Sequence, residues 1–297
     1  MSGVADQQTS SSLLRPPAPE VVALGESDRA ELRRLVDADP FVNVVVASRL
    51  RAVPSLDPRR FGGTMLGVRD GGGRLGGAVF TGGSILPVGG GPQEWRALAA
   101  RLVVGRRVCT SVVGRAEAVA GLWSVVGPTW GRPRAVREEQ PLLVLDRADE
   151  LPAGDPRVRA MRPSELDRYL PAATAMFTEE LGVSPYRSSP VADYRRRVAG
   201  LIAEGRAFGI VDDSGAVVFK ADIGAVSDHT CQLQGVWVRP DRRGQGLGHA
   251  ALAAVLRQAL TFAPSVSLYV NAYNVAARRL YDRLGMREVA TLTTILF

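Results

Sequence analysis

The chain has 297 residues with 46% hydrophobic content, enough for one large or two ordinary domains with their own cores. Its formal charge is +7 and its pI about 10.1, which would suit an anionic partner, but all but one of its 37 basic residues are arginines scattered along the sequence, Lys220 being the exception. The densest group, "GRPRAVR" from Gly131 to Arg137, lacks interleaved aromatic residues, so nucleic-acid binding is not expected. No stretch approaches about 18 uninterrupted apolar residues, so no membrane span is expected either.

In chain order, residues 1–19 are polar and proline-bearing, with neither a basic leader nor an apolar core, and read as a disordered tail rather than a signal peptide. "RAELRRLV" and "FVNVVVASRL" have helical periodicity, and "GTMLGVRDGGGRLGGAVFTGG" is a hairpin turning around Gly71 to Gly73. "SILPVGGGPQEWRALAARLVV" is a strand, a glycine run and a helix, and "VCTSVVGRAEAVAGLWSVVG" is a strand and a helix. Cys109 and Cys231 sit in separate apolar runs without CxxC spacing or a histidine partner. They read as buried free thiols of a cytoplasmic protein, and no metal site is expected.

The second half repeats this rhythm. "RVRAMRPSELDRYLPAATAMFTEELG" is a strand and a helix, with Ser164 as the expected cap and an end near Gly182; "VADYRRRVAGLIAEG" is a second helix. A hairpin turns at Asp213-Ser214-Gly215, "CQLQGVWV" is a strand, and a helix runs from Gly248 to about Phe262. "SVSLYVN" is a strand, "NVAARRLYDRLG" a helix between an Asn274 cap and Gly285, and two strands are expected to finish the chain. Subtracting 158 places Leu280 on Leu122, Tyr281 on Trp123 and Gly285 on Gly127. The expectation is an α/β duplication: a unit at 20–146, a linker at 147–156 and a unit at 157–297.

"RRGQGLGHAAL" (Arg242 to Leu252) lies between a strand and a helix. It lacks the Lys-Ser/Thr of a Walker loop, and its third glycine falls one place early for a dinucleotide fingerprint. A side-chain-poor loop entering a helix still presents unpaired N–H groups and the positive end of the helix dipole, so it suits an anion.

The R-x-x-G-x-G run from Arg243 to Gly248, followed by "LYVNAYNVAARRLYDRLGM" (Leu268 to Met286), resembles the GNAT superfamily of acyl-CoA-dependent N-acyltransferases. The resemblance covers roughly Val158 to Phe297, and the whole chain is similar to tandem GNAT proteins with a degenerate first unit. It implies an α/β (α+β) fold of two tandem GNAT-like units, each a mixed, mostly antiparallel central sheet flanked by helices. It also implies acetyl-CoA as co-substrate, with Val236, Trp237 and Val238 on the strand that binds the pantetheine arm. Arg243, Gly244, Gln245, Gly246, Leu247 and Gly248 then form the pyrophosphate loop, and Asn271 and Asn274 the polar pair near the cofactor arm. Tyr281 matches the general acid, a phenol of pKa about 10 that protonates the departing thiolate. The family's usual base position holds Gln232, which cannot accept a proton. Asp222 and Glu180 are therefore the candidate bases, with Glu179 and His229 as further substitutes, and Asp222 has an ion pair with Lys220 as its alternative role.

The first unit has no arginine before Gly89 to Gly91 and carries Trp123 where the acid would stand, so it is expected not to catalyse and to serve substrate recognition or the interface between units. The leading expectation is an N-acetyltransferase acting on a primary amine, of a small molecule or a peptide, by direct attack. The alternatives are a mycothiol-synthase-like acetyltransferase and a non-catalytic acyl-CoA-binding regulator; a homodimer is the oligomeric alternative to a monomer.

Overall fold

A computed structural model describes residues 20–149, 151–186 and 191–297; the tail expected at 1–19 lies outside the described residues. The first half contains β1 (Glu20–Ala23), α1 (Arg29–Asp37), α2 (Val44–Ala52), α3 (Pro58–Phe61), β2 (Thr64–Arg69), β3 (Leu75–Thr81) and β4 (Ser84–Gly89). It continues with α4 (Pro92–Leu102), β5 (Ser111–Arg115), α5 (Ala116–Trp130) and β6 (Ala135–Leu145). The second half repeats the order: β7 (Arg159–Ala160), α6 (Leu166–Leu181), α7 (Val191–Ala203), β8 (Ala207–Val211), β9 (Val217–Val226), β10 (Cys231–Val238), α8 (Leu247–Ala259), β11 (Val266–Tyr269), α9 (Val275–Arg283) and β12 (Arg287–Leu296).

Local chemistry fixes several of these boundaries. Asn274 caps α9 by accepting the Ala277 amide at 3.2 Å, and Gly285 follows the helix at φ +76. Gly182 ends α6 at φ +66, a conformation that costs an L side chain on the order of 1–2 kcal/mol. Ser164 does not cap α6. A 3-10 turn at Pro163–Glu165 precedes the helix, and the Glu165 carboxylate accepts the Arg162 amide at 2.9 Å while Arg159 grips it at 2.7 Å. The carboxylate reaches back to the amide that opens the 3-10 turn, the acidic half of a capping box, with an arginine anchoring it. A single long strand, β12, ends the chain where two were expected.

The twelve strands of the described residues form one sheet in the order β1-β2-β3-β4-β5-β12-β6-β11-β10-β9-β8-β7. It is antiparallel apart from β4–β5 and β10–β11. Here the halves interlock: β12 of the second half pairs with β5 of the first, and β6 of the first pairs with β11 of the second. The cores follow this exchange. Ile295 of β12 packs with Leu98 of α4 and Leu122 of α5, while Leu143 and Leu145 of β6 pack with Leu252 and Leu256 of α8. In the second half α8 and α9 bury their apolar stripes on one side of the sheet, and α6 and α7 pack around Tyr169, Val198 and Trp237. Cys109 and Cys231 are both buried free thiols. Among the described residues no helix is long and apolar enough to cross a membrane.

Candidate active site

Strands β10 and β11 pair in parallel only at Cys231–Val266 and Gln232–Ser267. Beyond these rungs they diverge, and their edges lose backbone partners along Leu233–Val238. On its other side β10 bulges, with the register slipping between Gln234 and Trp237. Gly235 stands in the bulge at φ +59, where a Cβ would lie 2.6 Å from the Met176 methyl. Its carbonyl accepts the Lys220 ammonium at 2.9 Å. A bulge of this kind re-aims the backbone of one strand against its neighbour. A cleft of about 560 Å³ opens along the gap, lined by α6 and α7, by β10 from Gln232 to Trp237, and by Asn271, Asn274 and Tyr281. That volume lies in the usual range of small-molecule sites. Val236 and Trp237 line the cleft, whereas Val238 lies just past it.

The glycine loop follows. Gly244 and Gly246 adopt φ +73 and +80, and Gly246 is the N-cap of α8. The amides of the first helical turn have no intrahelical acceptor, so Leu247 and Gly248 present N–H groups at the positive end of α8. A Cβ on Gly248 would stand 3.3 Å from a Val238 methyl, so the loop abuts the end of the diverging strand. These features fit a diphosphate on the loop with an extended arm leading along β10. Gln245 fastens the loop by donating to the Asp241 carbonyl at 3.0 Å. Arg243 turns toward α6 instead of over the loop: Nε donates to the Val238 carbonyl at 2.9 Å and Nη2 to Glu179 at 2.6 Å.

Tyr281 lines the cleft from α9 and is 7% exposed. Burial, and then the charge of Glu180, push its hydroxyl up to about 12, so it keeps its proton throughout the physiological range. Asn271 also lines the cleft, its Oδ1 accepting Gln140 Nε2 at 2.9 Å. Asn274 lines it as well, with its Oδ1 committed to capping α9.

The candidate bases separate clearly. Asp222 lines the cleft but is buried, and both of its oxygens are engaged: Oδ2 by Lys220 at 2.7 Å and Oδ1 by the Tyr169 hydroxyl at 2.5 Å. Burial and the adjacent Asp222 charge in turn push the Tyr169 hydroxyl well above its ordinary value. Glu179 has both oxygens engaged, by Trp237 Nε1 at 3.0 Å and by Arg243. His229 faces Asp37 at 3.6 Å and does not line the cleft. Glu180 lines the cleft, with its side chain 47% exposed and Arg137 at 3.5 Å.

The corresponding region of the first half is closed by its own side chains. Strands β4 and β5 also pair in parallel only at Ser84–Ser111 and Ile85–Val112, but Pro87 fills the divergence: its Cγ would lie 2.7 Å from a Cβ on Gly114. At the glycine run, Glu94 accepts the Gly91 amide at 2.9 Å and Trp95 Nε1 donates to the Gly89 carbonyl at 3.0 Å. A carboxylate of the chain itself thus occupies the helix terminus where an anion would bind. Trp123, at the position of Tyr281, packs against Phe297 with ring centroids 6.0 Å apart.

Several lining residues went unnoticed in the sequence because they come from the other half: Ser84, Ser111, Arg137 and Gln140. Gln140 stands where the charged run "REE" gives way to "PLLVL", so no local pattern marks it as part of a site. Among the described residues no group of three His, Cys, Asp or Glu side chains is placed to hold a metal.

Comparison with known proteins agrees with this geometry. Residues 166–286 match the model of the "Acetyltransferase (GNAT) family", and residues 63–169 match that of a "Domain of unknown function (DUF4081)". No curated protein matches the sequence significantly. A GCN5-related N-acetyltransferase from Sphaerobacter thermophilus superposes with a TM-score of 0.63 at 19% identity, over 95% of this chain and 96% of that one. A tandem GNAT protein from the clavulanic acid biosynthesis pathway gives 0.57 at 18% identity over 94% and 98%. A GNAT-family acetyltransferase from Colwellia psychrerythraea gives 0.56 at 13% identity over 94% and 99%. At these identities the likeness establishes a shared tandem fold. Residues 166–286 of the second half are thus similar to the GNAT acetyltransferase family.

Proposed function

We propose that this GNAT-like domain makes the protein an acetyl-CoA-dependent N-acetyltransferase acting on a primary amine by direct attack. The observation that supports this reading best is the convergence on one cleft of a buried, protonated Tyr281 and a partly exposed Glu180, at the point where β10 and β11 part. In this reading the loop from Gly244 to Gly248 holds the pyrophosphate, and the exposed backbone edge of Val236 to Val238 holds the pantetheine arm. Glu180 takes the proton of the amine as its nitrogen bonds to the thioester carbonyl carbon. Tyr281 gives its proton to the sulfur as the carbon–sulfur bond breaks. Asp222 and Lys220 hold the bulge that shapes the gap and do not exchange protons with the acceptor. Cys231, with its thiol pushed up to about 12 by burial and its Sγ set on the Ala259 carbonyl at 3.4 Å, is unsuited to carrying an acyl group.

The test is coenzyme A thiol release across a panel of amines. Tyr281→Phe and Glu180→Gln are each expected to lower kcat by about 10²-fold or more with acetyl-CoA binding retained. Full activity in either variant would remove that residue from the mechanism, and no turnover with any amine would count against the enzyme reading.

A further inference from the structure

The arginine-dense "GRPRAVR" segment has a structural use other than binding a polyanion. The last carbonyls of a helix lack intrahelical donors and lie at its negative end, where acidic side chains are disfavoured and cations favoured. Helix α6 ends on Glu179, Glu180 and Leu181. Two arginines from the first half meet that end: Arg134 Nη1 donates to the Leu181 carbonyl at 2.6 Å, and Arg137 Nη2 donates to the Glu180 carbonyl. The same Arg137 guanidinium places Nη1 3.5 Å from Glu180 Oε1, with its own side chain only 9% exposed. One half-buried arginine thus contacts both the backbone and the carboxylate of Glu180.

A bulge in β6 makes this arrangement available. Against β12, Arg137 pairs with Thr294 and Gln140 with Leu292, so three steps on β6 oppose two on β12. Strict alternation would send residues 137 and 140 to opposite faces; the extra residue brings both to the cleft. Gln140, 1% exposed, accepts the Thr294 hydroxyl at 2.5 Å and donates to Asn271 at 2.9 Å.

We propose that strand β6, supplied by the first half, belongs to the active site of the second: Arg137 is the positioning residue that fixes Glu180 toward the acceptor amine, and Gln140 the one that fixes Asn271. The proposal rests on the reading of Glu180 as the base. It gives the first half, whose own glycine run is closed by Glu94 and Trp95, a part in the reaction without a cofactor of its own.

The experiment uses the full chain and two readouts, steady-state thiol release and amide hydrogen exchange over residues 178–182. Arg137→Gln is expected to lower kcat by about tenfold or more, since small misplacements of a reacting group are costly, with KM for acetyl-CoA unchanged within about twofold. Exchange over 178–182 should quicken by a similar factor. Arg137→Lys should recover part of both effects, and the exposed neighbour variant Arg132→Gln should match the wild type. Gln140→Leu should give the opposite split, a raised KM for acetyl-CoA with kcat nearly retained. Wild-type kcat in Arg137→Gln, or a loss shared equally by acetyl-CoA binding, would overturn the proposal. If Glu180→Gln is inactive while Arg137→Gln is not, the base reading survives and this proposal does not. If the wild type acetylates no amine, the functional reading fails separately, and exchange then decides the anchoring: quickened rates support it and unchanged rates refute it.

Discussion

Glu179, Glu180 and Asp222 line the cleft, and their neighbours give Asp222 and Glu180 different work. Lys220, with a side chain 0% exposed, pairs with Asp222 at 2.7 Å and with the Gly235 carbonyl, while Tyr169 takes the other Asp222 oxygen. Removing the negative charge would leave a buried ammonium without its counter-ion. Asp222→Asn is therefore expected to cost about 3–5 kcal/mol in urea unfolding, whereas Glu180→Gln, at a side chain 47% exposed, should cost less than about 1 kcal/mol. An equal cost for both would mean that Asp222 is not the structural partner described here. This pair was legible in the sequence, because residues two apart on a strand share a face. Its engagement by Tyr169, from a helix 53 positions upstream, was not, since nothing local marks a contact at that separation. Glu180 was legible only as one acid among several. What distinguishes it is the commitment of the others.

The elements with strong local chemistry were foreseen. In "RRGQGLG" Gly244 and Gly246 adopt left-handed conformations ahead of α8, and Asn274 caps α9. No heavy atom within 4 Å would meet a Cβ on Gly246, so a side chain there would suffer from backbone conformation rather than crowding. Gly246→Val is expected to cost about 1–2 kcal/mol and to weaken acetyl-CoA binding by about tenfold, measured by calorimetry on the folded variant. Unchanged affinity would mean that the loop does not hold the pyrophosphate. The Gly235 bulge and the Glu165 cap were missed for a common reason. Each depends on partners brought by folding, Lys220 and Met176 in one case and Arg159 in the other.

At the scale of the whole molecule, the duplication was audible in the rhythm of strands and helices, but the interlock was not. Periodicity reports which residues of a strand face a core; it does not say which edge the strand joins. Strands β6 and β12 lie side by side in antiparallel register, and each also completes the sheet of the opposite half. Among the described residues one sheet spans both halves, with β6 and β12 at its centre. The exchange also carries Arg137 and Gln140 into a cleft that Ser84, Ser111 and Val113 of the first half line as well, and whose other walls belong to the second half. The two repeats differ most where a ligand would lie. A bulge and free loop amides mark the second, and Pro87, Glu94 and Trp95 fill the first. Calorimetric titration of the full chain with acetyl-CoA tests this asymmetry most directly. The account predicts a single site per chain, weakened by Gly246→Val; two sites per chain, or no binding, would contradict it.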